Sequence, residues 1–357
     1  IATMAGEPPF LEDLEIPERM PPGSPRSGPI FTCTPWPSMS AALQAALGIS
    51  AALYARDRGG RGKHVETSLL QAAMSLTAAK WIRAEHDDVK GFRTWTYDTR
   101  ATKGMFRCAD GRWVQHWVPN PRFALSSAEG DALVRRGVDT PTADPDRITT
   151  EPENLVVLAH YHPLMEEAFA KFPSADWVRV AAQANVPLQP VRTPEEALVD
   201  EALVAEVAVV DVAHPVHGTL RQAGILYTLD VTPGEVQGPV PLVGEHDAEL
   251  RAEAGVVRSA PSGRATSPTL PLGPLSGIVV LDLGFAVAGP FGTQLLADLG
   301  ATVIKVNARR DPFWHATHIA YGANRGKRSV GIDLKHPDGI ATLQRLIARA
   351  DVVHSNM

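Results

Sequence analysis

Apolar and polar positions alternate with two different periods along this chain, and the change of period divides it. The clearest stretch lies near the end. Ile278 to Leu283 (IVVLDL) is a short, β-branched, continuous apolar run, which predicts a buried strand. After Gly289 and Pro290, Thr293 to Leu299 has the spacing of a helix. A proline in the first turn of a helix loses nothing, because that N–H has no partner there, and Gly300 is well placed to stop the helix. Thr302 to Val306 (TVIKV) predicts a second strand. Lys335 to Ala350 predicts a second helix, with Ile340, Leu343, Leu346 and Ile347 on one face, and Asp351 to His354 opens a third strand. Strand, helix, strand, helix, strand implies a parallel sheet.

The earlier part is more mixed. Pro8 to Pro35 is rich in proline and predicts loop. Ser38 to Arg58 predicts a buried Ala- and Leu-rich helix interrupted at Gly48. Lys63 to Leu70 alternates like a strand, ahead of a helix over about Gln71 to Arg83. Asp110-Gly111 sits between two β-prone aromatic runs within Met105 to Val118, which predicts a hairpin. Leu155 to Phe172, Asp176 to Ala184 and His246 to Gly255 predict helices, with short strands within Val204 to Leu229 around His214-Pro215 and Gly218. Ser259 to Pro274 (SAPSGRATSPTLPLGP) carries almost no bulky apolar residue and predicts an exposed linker.

Composition narrows the function classes. A chain of 357 residues favours two or more structural units, and 44% hydrophobic with 21% charged residues is ordinary for a globular core. A net charge of −6 argues against a nucleic-acid surface. By inspection no apolar run is long enough to span a bilayer, and the start lacks a signal-peptide pattern, so no membrane partner is expected. Cys33 and Cys108 are too few for a disulfide framework and suit a cytoplasmic protein; each is read as a small buried apolar residue, with a reactive thiol as the alternative.

Longer ordered segments add a resemblance. Gly277 to Val306 (GIVVLDLGFAVAGPFGTQLLADLGATVIKV), Asn324 to Gly339 (NRGKRSVGIDLKHPDG) and Asp351-Val352-Val353 with Asn356 resemble the opening part of class III CoA-transferases, the CaiB/BaiF family. Gly48 to Ala72 (GISAALYARDRGGRGKHVETSLLQA), Val186 to Leu198 (VPLQPVRTPEEAL) and Val243 to His246 (VGEH) resemble later segments of the same family. The order is thus late part, linker, early part. Two consecutive copies with the outer parts missing explain that order best, and a circular permutation would also produce it. On the tandem reading, residues 1–258 are the late portion of a first copy, with a small domain at roughly 85–200. Residues 259–274 are the linker, and 275–357 are the early, Rossmann-like portion of a second copy.

The resemblance implies an α/β fold: a Rossmann-like parallel-sheet large domain plus a smaller α+β domain, in the family's interlocked architecture. It implies an interlocked homo-oligomer or an intramolecular pseudo-dimer. It implies coenzyme A as substrate and acyl carrier, with acyl-CoA and carboxylic acids as partners. In the family's transfer reaction an Asp carboxylate attacks the thioester carbonyl and the C–S bond breaks. The resulting mixed anhydride is then attacked by the released CoA thiolate. A carboxylate is a weak nucleophile, so positioning and oxyanion stabilisation supply much of the rate.

Here the chain departs from the pattern. Counting back from Gly48 puts Ser38 at the expected Asp position, and no acid lies between Cys33 and Tyr54, so the first copy is expected to lack the nucleophile. The second copy's Asp would lie beyond Met357. CoA contacts carried over from the resemblance fall on Ala286, Val287 and Ala288, where a helix N-terminus faces an anion. They fall also on Ile332 and Lys335, and on Asn356 and Met357. Asn307 and Ala308 replace an expected acid and base, leaving Arg309 or Arg310 to reach the phosphates.

The readings that remain are an acyl-CoA enzyme, by transfer or racemase- or lyase-type chemistry, and a non-catalytic CoA-binding or scaffolding module. A nicotinamide dehydrogenase is disfavoured, because no glycine fingerprint follows Ile278 to Leu283. No metal is expected: His315 and His318 lack a third ligand. His214 and His217 shape a turn around Pro215, Glu66 faces solvent, and Trp113, His116 and Trp117 pack on the hairpin. Thr193, Pro194 and Glu195-Glu196 start a helix.

Overall fold

The computed structural model describes residues 35–59, 62–76, 82, 84–86, 103–117, 124, 163–255, 273–308 and 318–356. The linker predicted at Ser259 to Pro274 lies outside them except for its last two residues, as do Cys33 and the predicted loop up to residue 34. Two compact units are present. One comprises residues 1–103, 119–167 and 263–357; the other comprises 104–118 and 168–262.

The first unit contains a four-stranded parallel sheet. Its strands are β6 (Val279–Asp282), β7 (Thr302–Asn307), β8 (Arg328–Gly331) and β9 (Val352–His354), ordered β8-β7-β6-β9. Registers pair Val280 with Val303 and with Val352, and Ile304 with Arg328. The connections are helices α7 (Ala288–Asp298), α8 (His318–Asn324) and α9 (Pro337–Ile347). The expected α/β fold is present, with one strand and one helix more than the periodicity showed. β8 is four residues long and carries Arg328 and Ser329, and α8 is two turns, so neither gives a periodic apolar signal.

The core of the sheet is Val280, Ala301 and Val303, with Leu275, Ile278, Leu296 and Ala297 packed on it. Helix α7 begins five residues earlier than the expected Thr293. Gly289 and Pro290 fall inside its first turn, where the N–H that Pro290 lacks would have no intrahelical acceptor. Gly300 ends it at φ 100°, and Ala301 N–H reaches back to Leu296 O at 3.1 Å. Helix α9 starts at Pro337 rather than Lys335. His336 Nδ1 accepts the Asp338 N–H, and Lys335 N–H is bound to Asp333 Oδ1 in the preceding turn.

The same unit holds α1 (Trp36–Gly59) and α2 (Leu69–Leu76), joined through Ser40 Oγ donating to Ala72 O and through Gln44 Nε2 donating to Ser75 Oγ. Gly48 does not interrupt α1. A Cβ there would stand 2.8 Å from Val65 Cγ1, so the glycine admits the neighbouring segment. That segment, residues 62–68, is not a strand among the described residues. It leads straight into α2, whose start is bound by Ser68 Oγ accepting the Gln71 N–H. Two expectations are corrected here. α1, with 24 residues, is long and apolar enough to cross a membrane by length and composition alone. Much of α1 is exposed, with Trp36, Met39, Leu43, Ile49 and Leu53 uncovered and only Ser40, Ala51 and Ala55 buried, so the helix expected to be buried is not covered by the described residues.

The second unit is α+β. β1 (Lys103–Arg107) and β2 (Trp113–Trp117) form the expected hairpin with Gly111 at φ 77°, and β3 (Leu188–Pro190) pairs antiparallel to β2. Ala168 and Phe169, the end of a helical stretch, open the second segment of this unit, and α3 (Ser174–Gln183) follows. Phe106 stacks on Phe169 at 4.8 Å between centroids, and Trp177 Nε1 donates to Phe169 O. Helices α4 (Pro194–Leu198) and α5 (Glu201–Ala205) lead to the hairpin of β4 (Val209–His214) and β5 (Gly218–Ala223), and α6 (Asp247–Ala254) follows.

The tightest glycine in the first unit is Gly339, where a Cβ would stand 1.9 Å from Asp333 O. Gly339→Ala is therefore expected to push the turn at residues 332–335 away from α9. The cost is about 1–3 kcal/mol, read as a lowered midpoint in urea unfolding.

Candidate functional site

The strand order β8-β7-β6-β9 makes a topological switch. From β6 the chain moves outward to β7 and β8, then returns to the other side of β6 as β9. The order places the switch point between β6 and β9, and open α/β sheets bind ligands at the carboxyl ends of the strands at such a point.

Asp282 closes β6 and is fully buried. Its Oδ1 accepts the Gly284 N–H at 2.7 Å, and its Oδ2 accepts the Thr293 hydroxyl of α7 at 2.8 Å. Lys327, just ahead of β8, makes a 2.8 Å ion pair with Asp282, and neither side chain has any exposure. The same ammonium donates to Pro290 O at 2.6 Å, Thr293 Oγ1 at 2.9 Å and Asn324 Oδ1 at 3.1 Å. Lys305 of β7 donates to Gly284 O from the adjacent strand. Burial pushes Lys327 below the ordinary lysine range, and the hydrogen bond and charge of Asp282 oppose that shift. Four elements are tied by this network beneath one turn.

That turn is Leu283 to Val287. Ala286 has φ 56°, a left-handed conformation unusual for a residue with a Cβ. Gly284 and Gly289 approach closely: a Cβ on Gly284 would stand 3.0 Å from Gly289 Cα. The first N–H groups of α7 have no intrahelical acceptor, and Val287 contributes no side-chain cap. The turn thus presents a helix N-terminus, which favours an anion by its free donors and its dipole.

The residues expected from the sequence distribute as follows. Ala286, Val287 and Ala288 form the turn and the first position of α7. Asn356, just after β9, lies beside them: its Oδ1 accepts the Phe285 N–H at 2.6 Å and its Nδ2 donates to Phe285 O at 3.1 Å. Ile332 is buried at the carboxyl end of β8, with its N–H on Asn307 O at 2.9 Å. Lys335 is exposed in the following turn. Arg309, Arg310, Met357 and His315 lie outside the described residues. Ser38 is exposed in the first turn of α1 rather than ahead of the helix, and that turn holds no acidic residue.

Asp282, Lys327 and Asn324 were missed as a unit. Each belongs to a quoted segment of the resemblance, yet they lie up to 45 residues apart, and only the sheet topology brings them together.

The other singled-out residues have local work. His214 Nδ1 accepts the Val216 and His217 N–H groups in the β4–β5 turn. Thr193 and Glu196 form a reciprocal capping box on α4. The Thr193 N–H and the Arg112 guanidinium hold the Glu196 carboxyl below its usual range. His116 is buried on the hairpin, while Trp113 and Trp117 face outward. Glu66 is exposed. Cys108 is buried, and burial with the neighbouring Asp110 pushes its thiol up to about 11, away from thiolate chemistry at neutral pH. Among the described residues no group of three or more side chains could hold a metal ion.

The sequence model of the family described as CoA-transferase family III matches residues 19–247 and 275–357. A succinate–glutarate CoA-transferase of Agrobacterium fabrum is 44% identical over 99 residues, which is 23% of this chain and 25% of that protein. CoA-transferase/lyase DddD of a Marinomonas species is 24% identical over 375 residues, which is 92% of this chain and 44% of that protein. The chain thus spans under half the length of either relative. A crystal structure of a CaiB/BaiF family protein from Brucella suis aligns with 66% of this chain and 59% of its own, at 18% identity and a TM-score of 0.48.

Lys327→Met leaves the Asp282 carboxylate buried without its cation. It is expected to lower stability by about 3–5 kcal/mol in chemical denaturation. Replacing both partners together, Asp282→Leu with Lys327→Met, is expected to cost less than Lys327→Met alone, because the pair is then removed whole while the neighbouring buried Lys305 keeps its bond to Gly284 O.

Proposed function

The chain belongs to CoA-transferase family III, and we propose that its β6–α7 turn binds coenzyme A as part of an acyl-CoA-handling enzyme. The observation that carries this reading is the turn itself. A helix N-terminus with free donors stands at the switch point of a parallel sheet, over a buried Asp282–Lys327 pair that holds its backbone in place. A diphosphate is the natural occupant of such a place, and CoA carries one. Ile332 and Lys335, at the carboxyl end of the same sheet, are within the region where the nucleotide portion would lie, and Arg309 would supply a further phosphate contact.

The reaction proposed is transfer of CoA between carboxylic acids. An enzyme carboxylate attacks the donor thioester and expels the CoA thiolate. The thiolate then attacks the enzyme-derived carbonyl of the anhydride, releasing the donor acid and leaving CoA as a thioester on the enzyme. An acceptor carboxylate repeats the two steps in reverse to leave as its CoA thioester, with the enzyme carboxylate restored. That chemistry needs a carboxylate nucleophile, and no acid lies between Cys33 and Tyr54. This observation favours a second reading for these 357 residues taken alone: a portion that binds CoA without forming the anhydride. The tandem arrangement would reconcile the two, with residues 1–258 and 275–357 belonging to consecutive copies joined by 259–274. An interlocked pseudo-dimer within one polypeptide, or an interlocked homo-oligomer, would then complete the site. The near absence of cysteine fits work in the cytoplasm.

Isothermal titration of the chain with CoA, followed by intact-mass analysis after incubation with an acyl-CoA, tests both parts. Saturable CoA binding with no covalent acyl adduct is expected. An acyl group on Ser38 would overturn the view that this position is inert, and absence of CoA binding would remove the site assignment.

A further inference from the structure

The carry-over from the family makes Asn356 a direct contact for CoA, but its side chain is already engaged. Both ends of the amide are bound to the backbone of one residue. Oδ1 accepts the Phe285 N–H at 2.6 Å, and Nδ2 donates to Phe285 O at 3.1 Å. Phe285 follows β6 and Asn356 follows β9, so these two bonds join the segments that leave two adjacent parallel strands at the switch point. The residue after Phe285 is Ala286, in its left-handed conformation, and the helix begins two residues later. An unusual φ at a residue with a Cβ persists only where the surroundings impose it.

The packing on the other side is equally tight. Gly289, in the first turn of α7, leaves no room for a side chain. A Cβ there would stand 2.7 Å from His354 Nε2 and 2.8 Å from Asn356 Oδ1. His354 closes β9, and its Nε2 is buried with no hydrogen-bond partner among the described residues. The ring thus contributes shape at this point, and Gly289 gives the Asn356 amide the space to reach Phe285.

From these contacts we infer that Asn356 is a positioning residue. It clamps the Phe285–Val287 backbone so that the free N–H groups at the start of α7 point in one fixed direction, and it acts on the ligand through that turn. The inference rests on the reading that CoA binds at the turn. A carboxamide suits the role because it supplies a donor and an acceptor at the spacing of one residue's N–H and C=O. Neither a carboxylate nor a hydroxyl supplies both with the same geometry.

The test measures the clamp and its consequence separately. Backbone nitrogen relaxation of the ligand-free protein reads the clamp, and calorimetric titration with CoA reads the consequence. In Asn356→Ala, order parameters at Ala286 and Val287 are expected to fall from about 0.85, the rigid range, toward 0.6. CoA affinity is expected to weaken about five- to tenfold, the scale of one lost hydrogen bond. Gly289→Ala, whose Cβ would crowd His354 Nε2 and Asn356 Oδ1 without altering Asn356, is expected to reproduce both effects. The double variant is expected to be no weaker than the worse single one, since both disable the same clamp. Lost affinity with unchanged order parameters in Asn356→Ala would overturn the inference in favour of direct contact, and so would additive effects in the double variant. Mobile residues with unchanged affinity would overturn it as well. Failure of the unsubstituted chain to bind CoA would instead overturn the site assignment, a result the relaxation data do not share.

Discussion

The Asp282–Lys327 ion pair is the interaction on which the candidate site depends. Two opposite charges buried together are stable only when their remaining hydrogen-bonding positions are filled. Here they are filled by the groups that must be held for the turn to exist: Gly284 N–H, Thr293 Oγ1, Pro290 O and Asn324 Oδ1. The desolvation of the two charges is offset by fixing β6, α7, the end of α8 and the start of β8 at one point. A hydrophobic pair of similar volume would pack the same space without specifying the direction of the turn above it.

Above that anchor the site is made of backbone. Ala286, Val287 and Ala288 offer no charged or hydrogen-bonding side chain, so any recognition there comes from N–H groups and from the accumulated dipole of α7. Backbone recognition requires a rigid main chain. Three contacts supply it from different directions: the ion pair from below, the Asn356 amide from the end of β9, and the close approach of Gly284 to Gly289 within the turn. This division of labour explains why residues that resemble a family's CoA contacts can be apolar, and why the charged residues nearby face inward.

Legibility followed the physics of each element. The strands β6 and β7, the helix stop at Gly300, the Asp110-Gly111 hairpin and the Thr193 capping box rest on neighbours within a few residues, and each is where the pattern put it. The misplaced pieces depended on distant partners. The segment at residues 62–68 alternates in hydrophobicity but has no described strand to pair with, and Gly48 lies within an unbroken helix, where its missing side chain makes room for Val65. β8 carries too few apolar residues to announce itself, and becomes a strand by pairing with β7.

By itself, the sequence determined the α/β class, most element positions and the segments that carry the family resemblance, because periodicity, capping and turn chemistry act over short distances. It also determined that no acid stands between Cys33 and Tyr54. Only the tertiary structure decided the strand order, and with it the switch point. It brought Asp282 and Lys327 together across 45 residues, and it turned Asn356 back onto Phe285 across 71. Those pairings depend on the register of four parallel strands, a long-range property that no local pattern encodes.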